Sequence, residues 1–258
     1  MKQYLLGLVL LFSFGWGQMT GREIMEKTDT LPEPNDAIST VTMSLIKSKK
    51  GKTRKRMRQI KRYQDFFQKG DFRSKSLIRF LKPADVKGTS LLIWEYQSDK
   101  DDDQWLYLPA MQKVKRIVAR EKSTEFMGSD FTYEDMGSRD IDEDTYKLIG
   151  EDEIFGEDCY LVGALPVQKE STYSRRVVWV SKKTWIVRKV EYFNKKGELL
   201  KILTIPKLHK EGNYWTVDKM IMENVKKAHK TILEINDVKY DSGIDGWRFT
   251  ERGLKRMK

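Results

Sequence analysis

Four acidic side chains between residues 125 and 135 have the type and spacing that could provide a catalytic pair. They are Glu125, Asp130, Glu134 and Asp135. Many hydrolases use two carboxyl groups as general acid and general base. Acids are also common in surface loops, and the sequence places no catalytic partner beside any of the four. A periplasmic hydrolase that uses loop carboxylates is therefore one hypothesis among several.

Residue types that build nucleophilic centres and metal sites are scarce. Cys159 is the single cysteine, so the chain has no intramolecular disulfide and no multi-cysteine metal site. It falls in a strand pattern, where a cysteine behaves as a small buried apolar residue. His209 and His229 have no recognisable ligand spacing, which argues against zinc and against Ser-His or Cys-His catalysis. We expect no cofactor, no metal and no enzyme activity.

A short acidic run could bind calcium, but its spacing is unsuitable. The run consists of Asp99, Asp101, Asp102 and Asp103. An EF-hand loop needs a glycine at its sixth position and a bidentate glutamate at its twelfth, and neither is found here. The run is interpreted as a solvated turn between two strands.

Aromatic and methionine side chains are the strongest positive feature. They lie on predicted strands and on a long loop around residues 126–133. Most should form an ordinary core, but a single curled sheet has an inner face that either helices or a ligand must cover. Such side chains suit acyl chains because they adapt their shape. The candidate cavity wall and lid consist of Trp94, Trp105, Tyr107, Phe126, Met127, Phe131, Trp179, Met220 and Met222.

The N-terminus has the pattern of a secretory signal peptide. Met1-Lys2 gives a positive start, and residues 4–14 form an apolar run too short to span a membrane. Gly15 and Gly17 occupy the two positions that a signal peptidase reads, so cleavage is expected after Gly17. An N-terminal membrane anchor is the alternative. With no cysteine near the cleavage site, the mature protein should not be lipid-anchored and should reside in the periplasm.

Residues 47–62 contain ten Lys or Arg and no acid, and they fall on a predicted hairpin. Such a surface can bind a nucleic-acid backbone or an anionic membrane. Because the chain is expected to be exported, an anionic membrane or an acidic protein is favoured over nucleic acid. The lysines could equally keep a solvated edge hairpin from aggregating. The candidate contact residues are Lys47, Lys49, Lys50, Lys52, Arg54, Arg56 and Arg58.

The pattern of the 258-residue chain predicts one mainly β domain over residues 18–258. Thr20 and Glu23 form a capping-box pattern for one helix, which the prolines after Leu31 end. Short strands with turns follow, interrupted at 120–145 by loop and short helix, and residues 249–254 are either a helical turn or a strand. A single antiparallel sheet of this length curls into an incomplete β-barrel, with a few short helices as lid. The predicted strands are 41–46, 53–63, 75–80, 89–96, 105–108, 114–118, 146–150, 159–165, 175–180, 186–193, 199–205, 214–224 and 231–240.

Four sequence blocks carry a family resemblance: residues 80–89, 104–110, 113–117 and 126–136. The chain resembles the periplasmic outer-membrane lipoprotein-sorting proteins, the LolA/LolB-like superfamily, in the branch found with RND-type exporters. The resemblance implies a half-barrel whose hydrophobic cavity takes up lipid or lipoprotein acyl chains, and it implies no catalytic residue. An RND-type transporter or an outer-membrane acceptor is a possible partner. A non-carrier accessory subunit of an RND-type export complex, docking through residues 47–62, is the alternative function.

Overall fold

The structure, a computed structural model, describes residues 18–97, 100–168 and 170–256. The predicted signal peptide and its cleavage after Gly17 lie outside these residues. Strands dominate the described chain, as its alternating pattern predicts. In chain order they are β1 Asp36–Lys49, β2 Lys52–Phe66, β3 Phe72–Lys82, β4 Ser90–Tyr96, β5 Asp103–Leu108, β6 Lys113–Arg116, β7 Asp144–Ile154, β8 Glu157–Pro166, β9 Arg175–Ser181, β10 Val187–Phe193, β11 Leu199–Glu211, β12 Tyr214–Asn224 and β13 His229–Tyr240.

All thirteen strands join one antiparallel sheet in the order β6-β5-β4-β3-β2-β1-β13-β12-β11-β10-β9-β8-β7. Each strand pairs with its neighbours in the chain, except that β6 does not pair with β7. In addition β1 pairs with β13, with Val41 opposite Ile235. The edges are therefore β6 and β7, and they are not paired with each other in the described sheet. The predicted mainly β, incomplete-barrel fold is confirmed. Residues 117–143 connect the two edges, and they include four short 3-10 turns.

One face of the sheet carries two apolar clusters, and we call it the inner face. The first cluster includes Met43, Ile60 and Phe80, and the second includes Val162 and Val178. Met136 and Leu233 pack against both clusters. The two clusters are therefore joined across the inner face by these two residues.

The N-terminal helix begins with the predicted capping box. In α1 Gly21–Asp29, the Thr20 side chain accepts from the Glu23 amide, and the Glu23 carboxylate accepts from the Thr20 backbone. Both contacts satisfy amides that a helix start would leave unpaired. Ile24 is fully buried in the second cluster, so the helix covers the β7–β9 end of the inner face.

The C-terminal segment covers part of the opposite, outer face. A 3-10 turn, Gly246–Phe249, leads into α2 Glu251–Arg256, so the helical alternative for 249–254 is correct. Phe249 and Leu254 are buried in an outer cluster with Leu77, Leu92 and Trp105. No helix in the described residues is long and apolar enough to cross a membrane.

Gly21 provides a test of how α1 is seated. A Cβ atom at Gly21 would lie 2.6–2.8 Å from backbone atoms of Lys147 and Leu148 on β7. We predict that Gly21→Ala lowers the free energy of unfolding by about 1–3 kcal/mol, because the helix must move away from the strand. Urea unfolding of both proteins measures the change.

Gly150→Ala is the matched control, because Gly150 also lies on β7 and a Cβ there meets nothing within 4 Å. Its stability should be unchanged or slightly raised, since glycine costs a strand more entropy than alanine. Equal effects of the two substitutions would contradict close packing of α1 at Gly21.

Candidate functional site

A cavity of about 360 Å³ lies between the inner face and residues 126–138, and its volume is within the usual range for ligand sites. Its wall is built by alternate residues of β1, β2 and β3 and of β11, β12 and β13, because alternate side chains of a strand share a face. Most of the wall is apolar: Val41, Met43, Ile60, Ile78, Phe126, Phe131, Met136, Leu203, Met220, Met222, Leu233 and Ile235.

A second, more open space of about 450 Å³ adjoins the cavity, and we call it the mouth. It lies between residues 31–34, the start of β12 at Tyr214 and the end of β13 at Tyr240. Residues that line both spaces form a neck between them: Glu33, Arg62, Gln64, Phe66, Arg73, Met220 and Ile235. The apolar cavity thus adjoins the mouth at a neck that contains polar groups.

Residues 126–138, here called the lid, cover the cavity on the side away from the sheet. The Phe126 ring packs 5.8 Å from Phe80 and 5.6 Å from Tyr133, measured between ring centroids. The Phe126 amide donates to the Phe131 carbonyl at 2.7 Å, which closes a tight loop. Met127 lies in that loop in a left-handed conformation with φ 51°. Such a conformation costs a non-glycine residue energy, so packing of the lid must hold it.

A buried ion pair fixes the lid to β11. Asp135 accepts from the Lys201 ammonium, and the exposed fractions of the two side chains are 5% and 3%. The same carboxylate accepts from the Tyr173 hydroxyl at 2.8 Å and from the Thr132 hydroxyl at 2.7 Å. Breaking such a pair by removing one partner costs about 3–5 kcal/mol, so the lid is firmly held.

A second buried carboxylate fixes the lid to β13. Asp130 contacts the His229 Nδ1 at 2.7 Å and accepts from the Thr231 hydroxyl at 2.7 Å.

The remaining two acids of the hydrolase hypothesis also have partners. Glu134 accepts from the Ser171 hydroxyl and the Thr172 amide. Glu125 pairs with Lys227 on the surface. Each of the four acids of the hydrolase hypothesis therefore contacts a group outside the lid.

Four of the predicted wall and lid residues line the cavity: Phe126, Phe131, Met220 and Met222. Met127 packs against the first cluster beside it. The other four lie elsewhere. Trp94, Trp105 and Tyr107 pack in the outer cluster against Phe249, whose carbonyl accepts from the Trp94 indole at 2.9 Å. Trp179 packs with Cys159 and donates to Asp152 at 2.9 Å.

Alternation along a strand explains this division. Ile93 and Glu95 face inward, so Trp94 between them faces outward. The sequence shows which residues share a face, but not which face closes over the cavity. Three further residues that line the cavity are Ile60, Arg62 and Leu233, and the sequence does not single them out. Arg62 in particular lies within the basic stretch 47–62, where it resembles its neighbours.

The acidic run beyond β4 supports the sheet edge. Asp103 accepts from the Tyr96 hydroxyl at 2.8 Å and from Arg116, and Asp99 lies outside the described residues. No group of three His, Cys, Asp or Glu that could hold a metal is found where the chain is described. His209 contacts Asp218 at 2.9 Å on the surface.

Asp102 and Glu95 form a carboxylate pair at the end of the lid. A Cβ atom at Gly137 would lie 3.6 Å from an oxygen of each. Glu95 is buried and accepts from the Ser74 hydroxyl and the Ser138 amide. Burial, reinforced by the negative charge of Glu95, raises the pKa of Asp102 to about 7. A proton on Asp102 would thus stabilise this corner near neutral pH.

The β1–β2 hairpin ends in a basic arm, which we define as residues 47–58. Pairing of β2 with β3 begins only at Gln59, so β2 is an open edge over residues 52–58, whereas pairing of β1 with β13 reaches Lys47. The hairpin therefore lacks strands on both sides only beyond Lys47. Lys50 and Gly51 form its tip, both with positive φ, as a two-residue hairpin turn requires. Register places six basic residues on the inner-face side: Lys47, Lys49, Lys52, Arg54, Arg56 and Arg58.

The raised pKa of Asp102 predicts a pH-dependent gain from Asp102→Asn. The folded protein binds this proton more tightly than the unfolded chain, so the carboxyl destabilises the fold increasingly as pH rises from about 4 to about 7. Asparagine resembles the protonated form at every pH. The variant should be more stable by about 1–2 kcal/mol above pH 7, less than the full shift implies because Asp102 is partly exposed.

Urea unfolding of both proteins at half-unit steps from pH 4 to pH 8 tests this prediction. The stability difference should widen up to about pH 7 and then level off. A difference that is constant with pH would mean that Asp102 titrates normally.

Comparisons with known proteins identify relatives of the whole fold. A family model described as "Uncharacterized protein" matches residues 73–256. A Vibrio parahaemolyticus domain named for outer membrane lipoprotein sorting is 33% identical, with 92% of this chain and 98% of that chain covered, at a TM-score of 0.85. A DUF1329 family protein from Desulfovibrio piger is 36% identical, with coverage of 91% and 97% and a TM-score of 0.84.

A LolA superfamily protein from Nitrosomonas europaea shares the fold at 19% identity and a TM-score of 0.67, covering 92% of this chain and all of that one. No curated protein sequence matches the chain significantly. The family model spans most of the chain, and both closer relatives exceed 30% identity over nearly their whole length. The predicted resemblance is therefore confirmed, and the chain belongs to the DUF1329 family, with the LolA-like fold of outer membrane lipoprotein-sorting proteins.

Proposed function

We propose that this protein is a periplasmic carrier that shields acyl chains of a lipoprotein or another lipid for transfer to or within the outer membrane. The observation that carries the proposal is the apolar cavity, which the lid covers and the neck joins to an open mouth. The relative named for outer membrane lipoprotein sorting supports it, as does the signal-peptide pattern. The proposal includes no catalytic step, because the lid acids already serve as structural acceptors.

The energetics suit a carrier. Burying an acyl chain contributes about 0.8 kcal/mol per methylene, so one long chain gives on the order of 10 kcal/mol before the costs of binding. That free energy is enough to keep the acyl chain bound to the protein in water. It still allows release of the chain to a membrane, because the membrane offers a comparable apolar environment. The cavity of about 360 Å³ is near the lower end of the range for ligand sites. It therefore suits one chain better than several.

The mouth is the proposed entrance for the ligand. Two buried carboxylates hold the lid to β11 and β13, so raising the lid would separate Asp135 from Lys201. A route through the neck breaks neither of these contacts, because none of their side chains lies among the residues shared by the cavity and the mouth. A chain that enters methyl end first would pass Met220 and come to rest against Leu233 and Met222.

Leu233→Gln tests whether the cavity takes up acyl chains. The leucine side chain lies on the wall and packs against both inner clusters. An amide there would lose its hydrogen bonds when a hydrocarbon chain covers it, at a cost of about 1–3 kcal/mol. We expect about tenfold weaker binding of a fluorescent fatty-acid probe to the delipidated variant.

Ile232→Gln is the matched control, because Ile232 is the preceding residue of β13, is also partly buried, and faces the other side of the sheet. It should bind the probe as the wild type does. A wild type that takes up no probe, labelled lipid or triacylated peptide would overturn the carrier proposal. So would equal weakening by both substitutions.

We propose further that the basic arm contacts an anionic membrane surface. Five of the six basic side chains on this face are exposed, whereas Arg58 donates to the Met127 carbonyl. Such a set fits an anionic surface, where each charge contributes about 1 kcal/mol. Salt should weaken the contact, because dissolved ions screen the attraction between exposed charges on the arm and the membrane. An acidic surface on a protein partner would fit the same arm, so an accessory subunit of an RND-type export complex is the second candidate function.

Neutralising the arm tests this contact. A variant with Lys52→Gln, Arg54→Gln and Arg56→Gln should bind vesicles rich in phosphatidylglycerol at least tenfold more weakly at low salt. Vesicle co-sedimentation measures the loss. The control carries Lys196→Gln, Lys210→Gln and Lys239→Gln, which remove the same charge from exposed positions outside the arm. Equal losses would mean that net charge, rather than the arm, drives binding.

A further inference from the structure

Arg62 lies at the neck, where the apolar cavity meets the mouth, and lines both. It is on the inner face of β2, between Ile60 on the cavity side and Gln64 on the mouth side. Register places it opposite Ser39 of β1 and Ile78 of β3. Arg62 therefore places a charged side chain on the boundary that a ligand entering through the mouth would cross.

The guanidinium of Arg62 makes no hydrogen bond to any residue that the structure describes, and its buried Nε has no partner. Arginine stays charged in proteins, and a charge removed from water needs an acceptor. Burial lowers the pKa of Arg62, while the charge of Glu95 acts in the opposite direction. Glu95 does not fill the role of acceptor, because its oxygens accept from Ser74 and Ser138.

Arg73, the other arginine of the neck, differs in this respect. It forms an ion pair with Asp29 at 2.5 Å, and the charge of Glu33 also acts on it. Its guanidinium is thus held at the side of the neck by protein carboxylates. Arg62 is the arginine of the neck whose donors remain available.

Neutral donors lie on the same face around Arg62. The Ser39 hydroxyl lines the mouth, the Ser76 hydroxyl lines the cavity, and the Gln64 amide lines both. Ser39 and Ser76 are buried, and none of these three side chains makes a hydrogen bond within the described chain. Together with the guanidinium they present a polar patch directly above the apolar wall of Ile60 and Ile78.

We infer that the ligand is a single-chain amphiphile with an anionic carboxylate or phosphate head, which Arg62 binds at the neck while the chain fills the cavity. This inference rests on the proposed carrier function. A guanidinium offers paired donors that match carboxylate and phosphate oxygens, and such charge-assisted bonds are strong. The chain carries the affinity, and the head group fixes the depth and direction of binding.

Competition with a fluorescent fatty-acid probe tests the inference, using palmitate, palmitoyl lysophosphatidate and the neutral hexadecanol. Wild type should bind both anionic ligands at least tenfold more tightly than hexadecanol, which corresponds to about 1.4 kcal/mol. Arg62→Gln should abolish this preference and leave hexadecanol affinity within twofold. The tighter of the two anions identifies carboxylate or phosphate as the preferred head.

Arg56→Gln is the matched control, because Arg56 has the same charge, strand and face but lies on the arm outside the cavity. It should keep the full preference. Arg62→Lys, which keeps the charge without the planar fork, should keep part of it and serves if Arg62→Gln does not fold. Equal affinity of the wild type for all three ligands overturns the inference and leaves the carrier proposal intact. Binding of none of them overturns the carrier proposal itself.

Discussion

The pairing of β1 with β13 determines how the rest of the molecule is arranged. It places the first and last strands side by side in the sheet, so that the edges fall at β6 and β7, which are consecutive in the chain. The segment between two such edges has to cross the open side of the sheet. Residues 117–143 do this, and part of this segment becomes the lid. The opening and its cover thus follow from one strand pairing.

Polar contacts, rather than apolar packing alone, fix the position of the lid. The buried Lys201–Asp135 pair and the contact of Asp130 with His229 join it to two different strands. Buried ion pairs add little net stability, because desolvation offsets their attraction, but a misplaced lid would leave charges unpaired. The lid is therefore held in one position over the cavity, and the cavity keeps a defined shape without a ligand.

Much of the fold could be predicted from the sequence because its signals are local. Thr20 and Glu23 predict the helix start, and alternation of apolar residues predicts the strands. Which face of a strand closes over the cavity depends on how distant strands curl together, and no local pattern reports that. Trp94 was therefore predicted to line the cavity, whereas the structure places it on the outer face.

The same limit applies to charge. Arg56 and Arg62 lie in one basic run and on one face of β2, and the sequence does not distinguish them. The curvature of the sheet and the position of the lid distinguish them: Arg56 lies on the exposed arm, and Arg62 lies at the neck. Lys201 is similar, since its burial becomes intelligible only when Asp135 is seen above it.

The basic arm and the mouth lie at opposite ends of β1. Ser39 lines the mouth, and Lys49 stands ten residues further along, a separation of roughly 33 Å for an extended strand. The lid approaches the arm, where Arg58 donates to the Met127 carbonyl. If the basic arm contacts a membrane, the mouth would therefore face away from the membrane, toward the aqueous side. Such an orientation would favour exchange of cargo with a partner in solution over direct extraction from the bilayer beneath.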